Sequence, residues 1–424
     1  MKLRVTAGAA VRSLCVALLV GGAATAAGPS AGACVDPDAP SVHCGATPTA
    51  AFDPGGRLWV AFAHRGRVHL AESPDTGWSF GTARAVNPIP EDIDTNGENR
   101  PKVAFGAGQE LYVTWTRKMP GGYNGDIRFS RSVDGGATFA PPVTLNDDGL
   151  VTGHRFESLL VDGTGDVYVA WIDKRDAESL PAPSPAAAIY YTVSTDRGAS
   201  FTPNRRVAAG SCECCRIAMA EGPAVASHPL PAAGAAAAGA ALFWRHVFEG
   251  SIRDHAFALL DRDGIALDAR RATYDGWRID ACPHHGPAMI PAGAGRYHVA
   301  WFTAGAARRG VLYARYAPPS SALEQELVVS SAPSAAHPSL VAVPGGLFLA
   351  WKEFDGESTK VRVIDSSDDG ASWSAARGVA RTGGTSDHPF LIARAAEVFM
   401  AWHTETEGFR VVPLELRHAG GQRP

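Results

Sequence analysis

The sequence predicts an all-β ring of small antiparallel sheets, a β-propeller, and three observations predict it. A short strand of period-2 pattern ending in an aromatic residue recurs seven times. Each copy is flanked by an apolar strand before it and an alternating strand after it. A turn of one chemical pattern recurs at the same spacing. Helical periodicity is almost absent, and 46 glycines and 30 prolines in 424 residues supply the turns such a fold needs.

The aromatic strands, in order, are "LWVAF" (58–62), "LYVTW" (111–115), "VYVAW" (167–171), "GAALFW" (239–244), "YHVAW" (297–301), "LFLAW" (347–351) and "VFMAW" (398–402). They end on Phe62, Trp115, Trp171, Trp244, Trp301, Trp351 and Trp402. Successive aromatics lie 50 to 57 residues apart except for one step of 73. That step contains "LPAAGAAAAGAAL" (230–242), a low-complexity stretch that reads as a lengthened hairpin loop. Pro-led strands such as "HPSLVAVP" (337–344) and "HPFLIA" (388–393) precede the aromatic strands, and strands such as "DIRFSRS" (126–132) and "AAIYYTVS" (187–194) follow them. Each unit buries its faces only against its neighbours, so the copies must stack into one body. Seven copies favour seven four-stranded blades, with six as the alternative, in one domain spanning 34–424. The last copy lacks a visible turn motif and fourth strand, and "CVDPDAPSVHCG" (34–45) is expected to supply that strand and close the ring.

The turn between third and fourth strands reads "SPDTGWSF" (73–80), "SVDGGATF" (132–139), "STDRGASF" (194–201) and "SSDDGASW" (366–373). The shared pattern S-x-D-x-G-x-x-aromatic aligns Ser73, Asp75, Gly77 and Phe80 with Ser132, Asp134, Gly136 and Phe139. It also aligns Ser194, Asp196, Gly198 and Phe201 with Ser366, Asp368, Gly370 and Trp373. The carboxylate is placed to bond turn amides, glycine takes the positive-φ position, and the aromatic plugs between strands. Degenerate copies, "LLDRDGIAL" (259–267) and "YAPPSSAL" (316–323), fill the gap before the last. These residues are structural and carry no catalytic role. The pattern resembles the Asp-box, or BNR repeat, of the sialidase superfamily, whose sialidases are six-bladed propellers.

Residues 1–27 read as an export signal: Lys2, Arg4 and Arg12 flank the apolar "SLCVALLVGG" (13–22), and "AATAAG" (23–28) offers a cleavage site. That run is too short to span a bilayer as a mature helix, and no later segment is long and apolar enough. The expected location is periplasmic or secreted, with a lipoprotein anchored through Cys34 as a variant. A net charge of −4 and a pI near 6.4 imply no basic face and exclude nucleic acid as partner.

In a propeller the first strand of each blade lines the channel, so residues just before those strands ring one mouth of the axis. Counting back 14 to 16 residues from the aromatics gives Thr47, Arg100, Arg155, His285, His337 and His388. Matching "EGPAV" (221–225) to "HGPAM" (285–289) adds Glu221. Converging imidazoles suit metal or anion binding. Arg100 and Arg155 suit a bidentate grip on carboxylate or phosphate, with rim ion pairs to Glu98 or Glu157 as the bland counterpart.

Of seven cysteines, Cys15 leaves with the signal, and an even six in an exported chain favours disulfides. Cys34 pairs with Cys44 in this reading, and Cys282 with one of Cys212, Cys214 and Cys215. The competing reading is a copper or zinc site drawn from Cys212, Cys214, Cys215, Cys282, His284 and His285, whose thiolate and imidazole donors suit those ions.

"CECC" (212–215) and "DGWRIDACPHHGP" (275–287) together resemble exported bacterial BNR proteins with C-x-C-C in one blade and D-G-W…C-P-x-x-G-P in the next. Resemblance to sialidases implies three arginines clamping a sugar carboxylate, a Tyr–Glu nucleophile pair and an Asp acid. The Arg-Ile-Pro motif of the first arginine is missing; "CRIAM" at Arg216 is similar but lacks the proline and falls in the fourth copy. No Tyr–Glu pair is identifiable, and Asp92, Asp94, Glu157, Asp254 and Asp280 are nearby acids without positional support. The sequence therefore reads as an exported sialidase-like propeller binding a small ligand, metal ion or acidic glycan at the axial mouth. An exo-α-sialidase-type glycoside hydrolase and a protein-interaction scaffold are the alternatives.

Overall fold

The computed structural model describes Met1 and residues 32–177, 187–223, 239–318, 320 and 322–417. The expected signal (1–27) therefore lies outside the described residues apart from Met1, as does most of the Ala/Gly stretch. Seven antiparallel sheets follow one another in chain order, and among the described residues there is no helix. Blades 1 to 6 are four-stranded and span 46–85, 102–144, 154–209, 218–271, 288–330 and 336–382. Blade 7 (390–414) has three strands. Each blade's first strand touches the first strand of the next, and Phe390–Arg394 against Ala46–Phe52 closes the circle.

The seven aromatics all lie in second strands and are fully or almost fully buried. A blade sandwiched between two others has no solvent face, so its central strands bury residues of both parities. Val167–Asp173 is buried at every position. Burying an indole requires an acceptor for its N–H. Trp115, Trp171, Trp301 and Trp351 donate to the carboxylates of Glu91, Asp173, Asp275 and Glu353 at 2.6–2.8 Å, and Trp402 to the Asp387 carbonyl at 3.0 Å. Blade 4 differs. Its Trp244 Nε1 has no acceptor among the described residues, and its packing cluster includes Cys212, Cys214 and Cys215.

The four Asp-box turns share one bonding pattern. Each serine Oγ donates to the aspartate and accepts from the glycine amide. The aspartate also takes the N–H and O–H of Ser79, Thr138, Ser200 or Ser372, all at 2.5–2.9 Å. That hydroxyl, two residues after the glycine, is a position the sequence reading passed over. The glycines dock on the preceding blade. A Cβ on Gly370 would fall 2.0 Å from Tyr313 Oη of blade 5.

The segment 34–45 does not add a strand to blade 7, which corrects the sequence reading. It packs sideways instead: Val42 joins the core of Phe409 and Val411, and the His43 carbonyl contacts His403 Nε2 at 3.2 Å. Cys34 and Cys44 form a disulfide that closes this segment on itself. The Cys34 sulfur is thereby committed, and cannot at the same time carry a lipid thioether.

Candidate functional site

Strand register fixes which residues are equivalent at the axis. Thr49, Lys102, Ser158, Ala218, Ala288, Ser339 and Phe390 each face the residue preceding their blade's aromatic. Two residues earlier stand Thr47, Arg100, Phe156, Arg216, Gly286, His337 and His388. Thr47, Phe156 and His337 take positive φ of 46°, 59° and 55° there, a conformation that non-glycine residues hold only when their surroundings enforce it. Against this register Arg155 and His285 are one residue early, and Glu221 is five residues late. Glu221 ends Ala218–Glu221, opposite Ala240, so it lies at the far end of its strand. The Gly-Pro match that selected it followed composition, not register. The blade 4 equivalent is Arg216.

The axial cavity has a volume of about 270 Å³. Glu98, Arg100, Lys102, Arg216 and His388 supply its polar lining, and Met219, Met289, Leu340, Phe390 and several prolines its apolar wall. Glu98 organises the polar side. Its carboxylate accepts from Arg216 Nη1 at 2.8 Å, the Arg216 amide at 3.1 Å, the Gly286 amide at 2.9 Å and His337 Nδ1 at 2.9 Å. Burial alone would push this carboxyl up, but Arg216 first, then His337 and His388, hold it well below the usual range. The His337 and His388 rings stack at 3.4 Å, with His285 packed on His337 at 5.1 Å. Burial lowers all three imidazoles, His285 to about 3, so they are neutral at pH 7.

Arg100 donates to Asp387 Oδ1 at 2.7 Å and to the Pro48 carbonyl at 3.1 Å. Lys102 Nζ donates to the Arg100 carbonyl at 2.6 Å and to Glu157 at 3.4 Å. With Lys352 Nζ 3.3 Å from the Asp387 carbonyl, four cations face Glu98, Glu157 and Asp387. The centre thus carries one surplus positive charge. Glu98, His337 and His388 have donor atoms close enough together to hold a cation. Arg216 already occupies the charge of that carboxylate, so the chemistry here favours anions.

Arg155 belongs to a separate lateral cavity of about 130 Å³, shared with Tyr123, Lys174, Glu213, Cys214, Cys282 and His284. It is paired with Asp94, not with Glu157. The other acids named from sequence are also committed or exposed: Glu157 to Lys102 and Thr116, Asp254 to Arg271, Asp92 to Lys118, with Asp280 exposed. Among the described residues no tyrosine lines the axial cavity.

The loop leading into blade 4 buries three sulfurs together. Cys212 Sγ lies 3.7 Å from Cys214 Sγ and 3.6 Å from Cys215 Sγ, and the last two are 4.0 Å apart. Hydrogen bonds from Cys214 and Cys215, with Arg245 and Arg253 nearby, hold the Cys212 thiol well below its ordinary value; its neighbours are pushed up. The expected bridge to this cluster does not form. Cys282 is exposed and unpaired, although it shares the lateral cavity with Cys214. The six residues named as a metal set therefore divide: a buried trithiol, Cys282 with His284 in the lateral cavity, and His285 against the axial histidines.

No protein-family model matches the chain, and no curated protein matches it. Solved structures do. An ulvan lyase of a polysaccharide lyase family, bound to -[GlcA(1-4)Rha3S]-, is 11% identical with a TM-score of 0.52, covering 87% of this chain and 93% of that one. A Hadza microbial sialidase is 14% identical with a TM-score of 0.48, covering 82% and 74%. An α-L-arabinofuranosidase of Fusarium graminearum in complex with arabinobiose is 14% identical with a TM-score of 0.45, covering 81% and 96%. At these identities the likeness concerns the fold alone.

Proposed function

We propose that this is an exported Asp-box propeller of the sialidase-like kind, whose axial cavity binds an anionic ligand of sugar size, a uronate-type residue of an acidic glycan. The carrying observation is the set of Arg100, Lys102 and Arg216, fixed by buried carboxylates and facing an apolar wall in one cavity. A carboxylate meets preorganised donors there, and the flat face of a sugar ring meets Met219, Met289 and Phe390. The Cys34–Cys44 disulfide suits an oxidising compartment. Binding is proposed in preference to hydrolysis because the lining carboxylate, Glu98, is fully engaged. The ulvan lyase neighbour makes acidic oligosaccharides the first ligands to test.

Calorimetric titration with glucuronate and oligoglucuronides, against neutral sugars of equal size, is the direct measurement. Acidic sugars should bind and neutral ones should not, with Lys102→Met weakening binding at least about tenfold. Equal binding of both classes would sink the reading. Release of a fluorophore from a sialoside would restore the hydrolase in its place.

A second reading concerns the trithiol. Three sulfurs within 4.0 Å of one another favour a soft metal ion, copper or zinc, bound apart from the axial cavity.

A further inference from the structure

Two buried arginines beside the three sulfurs have no carboxylate partner. Arg245 donates only to the carbonyls of Arg253, His285 and Phe302, at 2.6–3.1 Å, and its guanidinium lies over the Trp277 ring. Arg253 donates to the Ile279 carbonyl and, at 3.2 Å, to Cys212 Sγ. Neither makes an ion pair among the described residues. A buried cation needs a nearby anion, and the sulfur cluster is the group placed to supply it. Neutral thiols would leave both guanidiniums uncompensated.

The geometry specifies the ion more closely. A circle through the three sulfurs has a radius of about 2.2 Å, close to the metal–thiolate bond length of about 2.3 Å. An ion at its centre lies in the plane of its ligands. Among the described residues no fourth histidine, cysteine or carboxylate atom joins this group. Zinc takes four ligands in a tetrahedron, whereas Cu(I) is selected by soft thiolates and needs no fourth. Charge agrees: three thiolates are balanced by one Cu(I) and two guanidiniums, while Zn(II) leaves a buried surplus.

We infer that Cys212, Cys214 and Cys215 form a trigonal Cu(I)–thiolate site, with Arg245 and Arg253 as its fixed counter-charges. The inference rests on the soft-metal reading and narrows it to one ion, one oxidation state and three ligands.

The test uses the full chain, reduced, stripped of metal and kept anaerobic. Cu(I) is titrated against bicinchoninate, Zn(II) against a chromophoric chelator, and the copper form is measured by X-ray absorption. One Cu(I) per chain with three sulfurs at about 2.2–2.3 Å is expected. Cys282→Ser should leave affinity unchanged, and Cys212→Ser should abolish stoichiometric uptake. Arg253→Met, checked for an unaltered urea midpoint, should weaken Cu(I) about 10–100-fold. Preferred uptake of Zn(II) that requires Cys282 would overturn the Cu(I) assignment and leave the soft-metal reading standing. Uptake of neither ion would overturn both.

Discussion

Replacing Glu98 by glutamine tests how the axial cavity is held together. In the wild type one buried carboxylate compensates Arg216 and accepts from two amides and His337. Removing one partner of a buried ion pair costs about 3–5 kcal/mol, and the lower end applies because Arg216 is about a quarter exposed. The glutamine NH₂ must also face donors, leaving a bond unmade at about 1 kcal/mol. A loss of about 3–4 kcal/mol follows, or roughly 1 M in urea midpoint at a slope near 3 kcal/mol per M. Equilibrium urea unfolding followed by circular dichroism reads it. The pH dependence carries a sign. Because the folded carboxyl sits below its unfolded value, its contribution is present above about pH 4.3 and erodes as pH falls from there toward the folded value. The gap between wild type and Glu98→Gln should hold from pH 7 to 5 and shrink below. A gap under about 1 kcal/mol at pH 7, or one unchanged down to pH 3, would refute the reasoning.

Burial lowers His285 to about 3 and His246 to about 4, so the stability tied to their neutral forms is present above about pH 6.5 and erodes as the pH falls from there. Each should cost about 2 kcal/mol between pH 7 and 5, and urea midpoints that stay level over that range would contradict it. Gly345 and Gly370 both take φ near 80°, but only Gly370 has a neighbour in the way. Gly345→Ala should cost about 1 kcal/mol and Gly370→Ala about 3 kcal/mol or more; equal costs in urea melts would deny the Asp-box a docking role against the preceding blade.

Blade number, order and turn chemistry were legible because they depend on local repetition. The aromatic strands and the four Asp-boxes declare themselves within 60 residues of one another, and each pairs only with its chain neighbours. The axial centre was legible in part. Arg100, His337 and His388 follow from counting, since their blades have regular spacing. Arg216 was misplaced because the long step of blade 4 broke that count, and its Ile-Ala context lacked the expected proline. Glu98 organises the centre across 118 residues to Arg216 and 239 to His337, contacts that no local pattern encodes. Arg245 and Arg253 carried no signal at all, because an arginine in a sequence reads as surface until its burial is seen.

Six of the seven joints in this ring are tied by the chain itself, so neighbouring blades remain at high effective concentration even when parted. The joint between blades 7 and 1 has no such tether and no shared strand. Arg100 spans it, with Pro48 of blade 1 on one side and Asp387 beside blade 7 on the other. The same arginine faces the cavity. An occupant there would act as a rivet, coupling cavity saturation to the rate at which the circle opens. Amide exchange in Ala46–Phe52 and Phe390–Arg394 should therefore slow first when a ligand arrives, ahead of every other pair of blades.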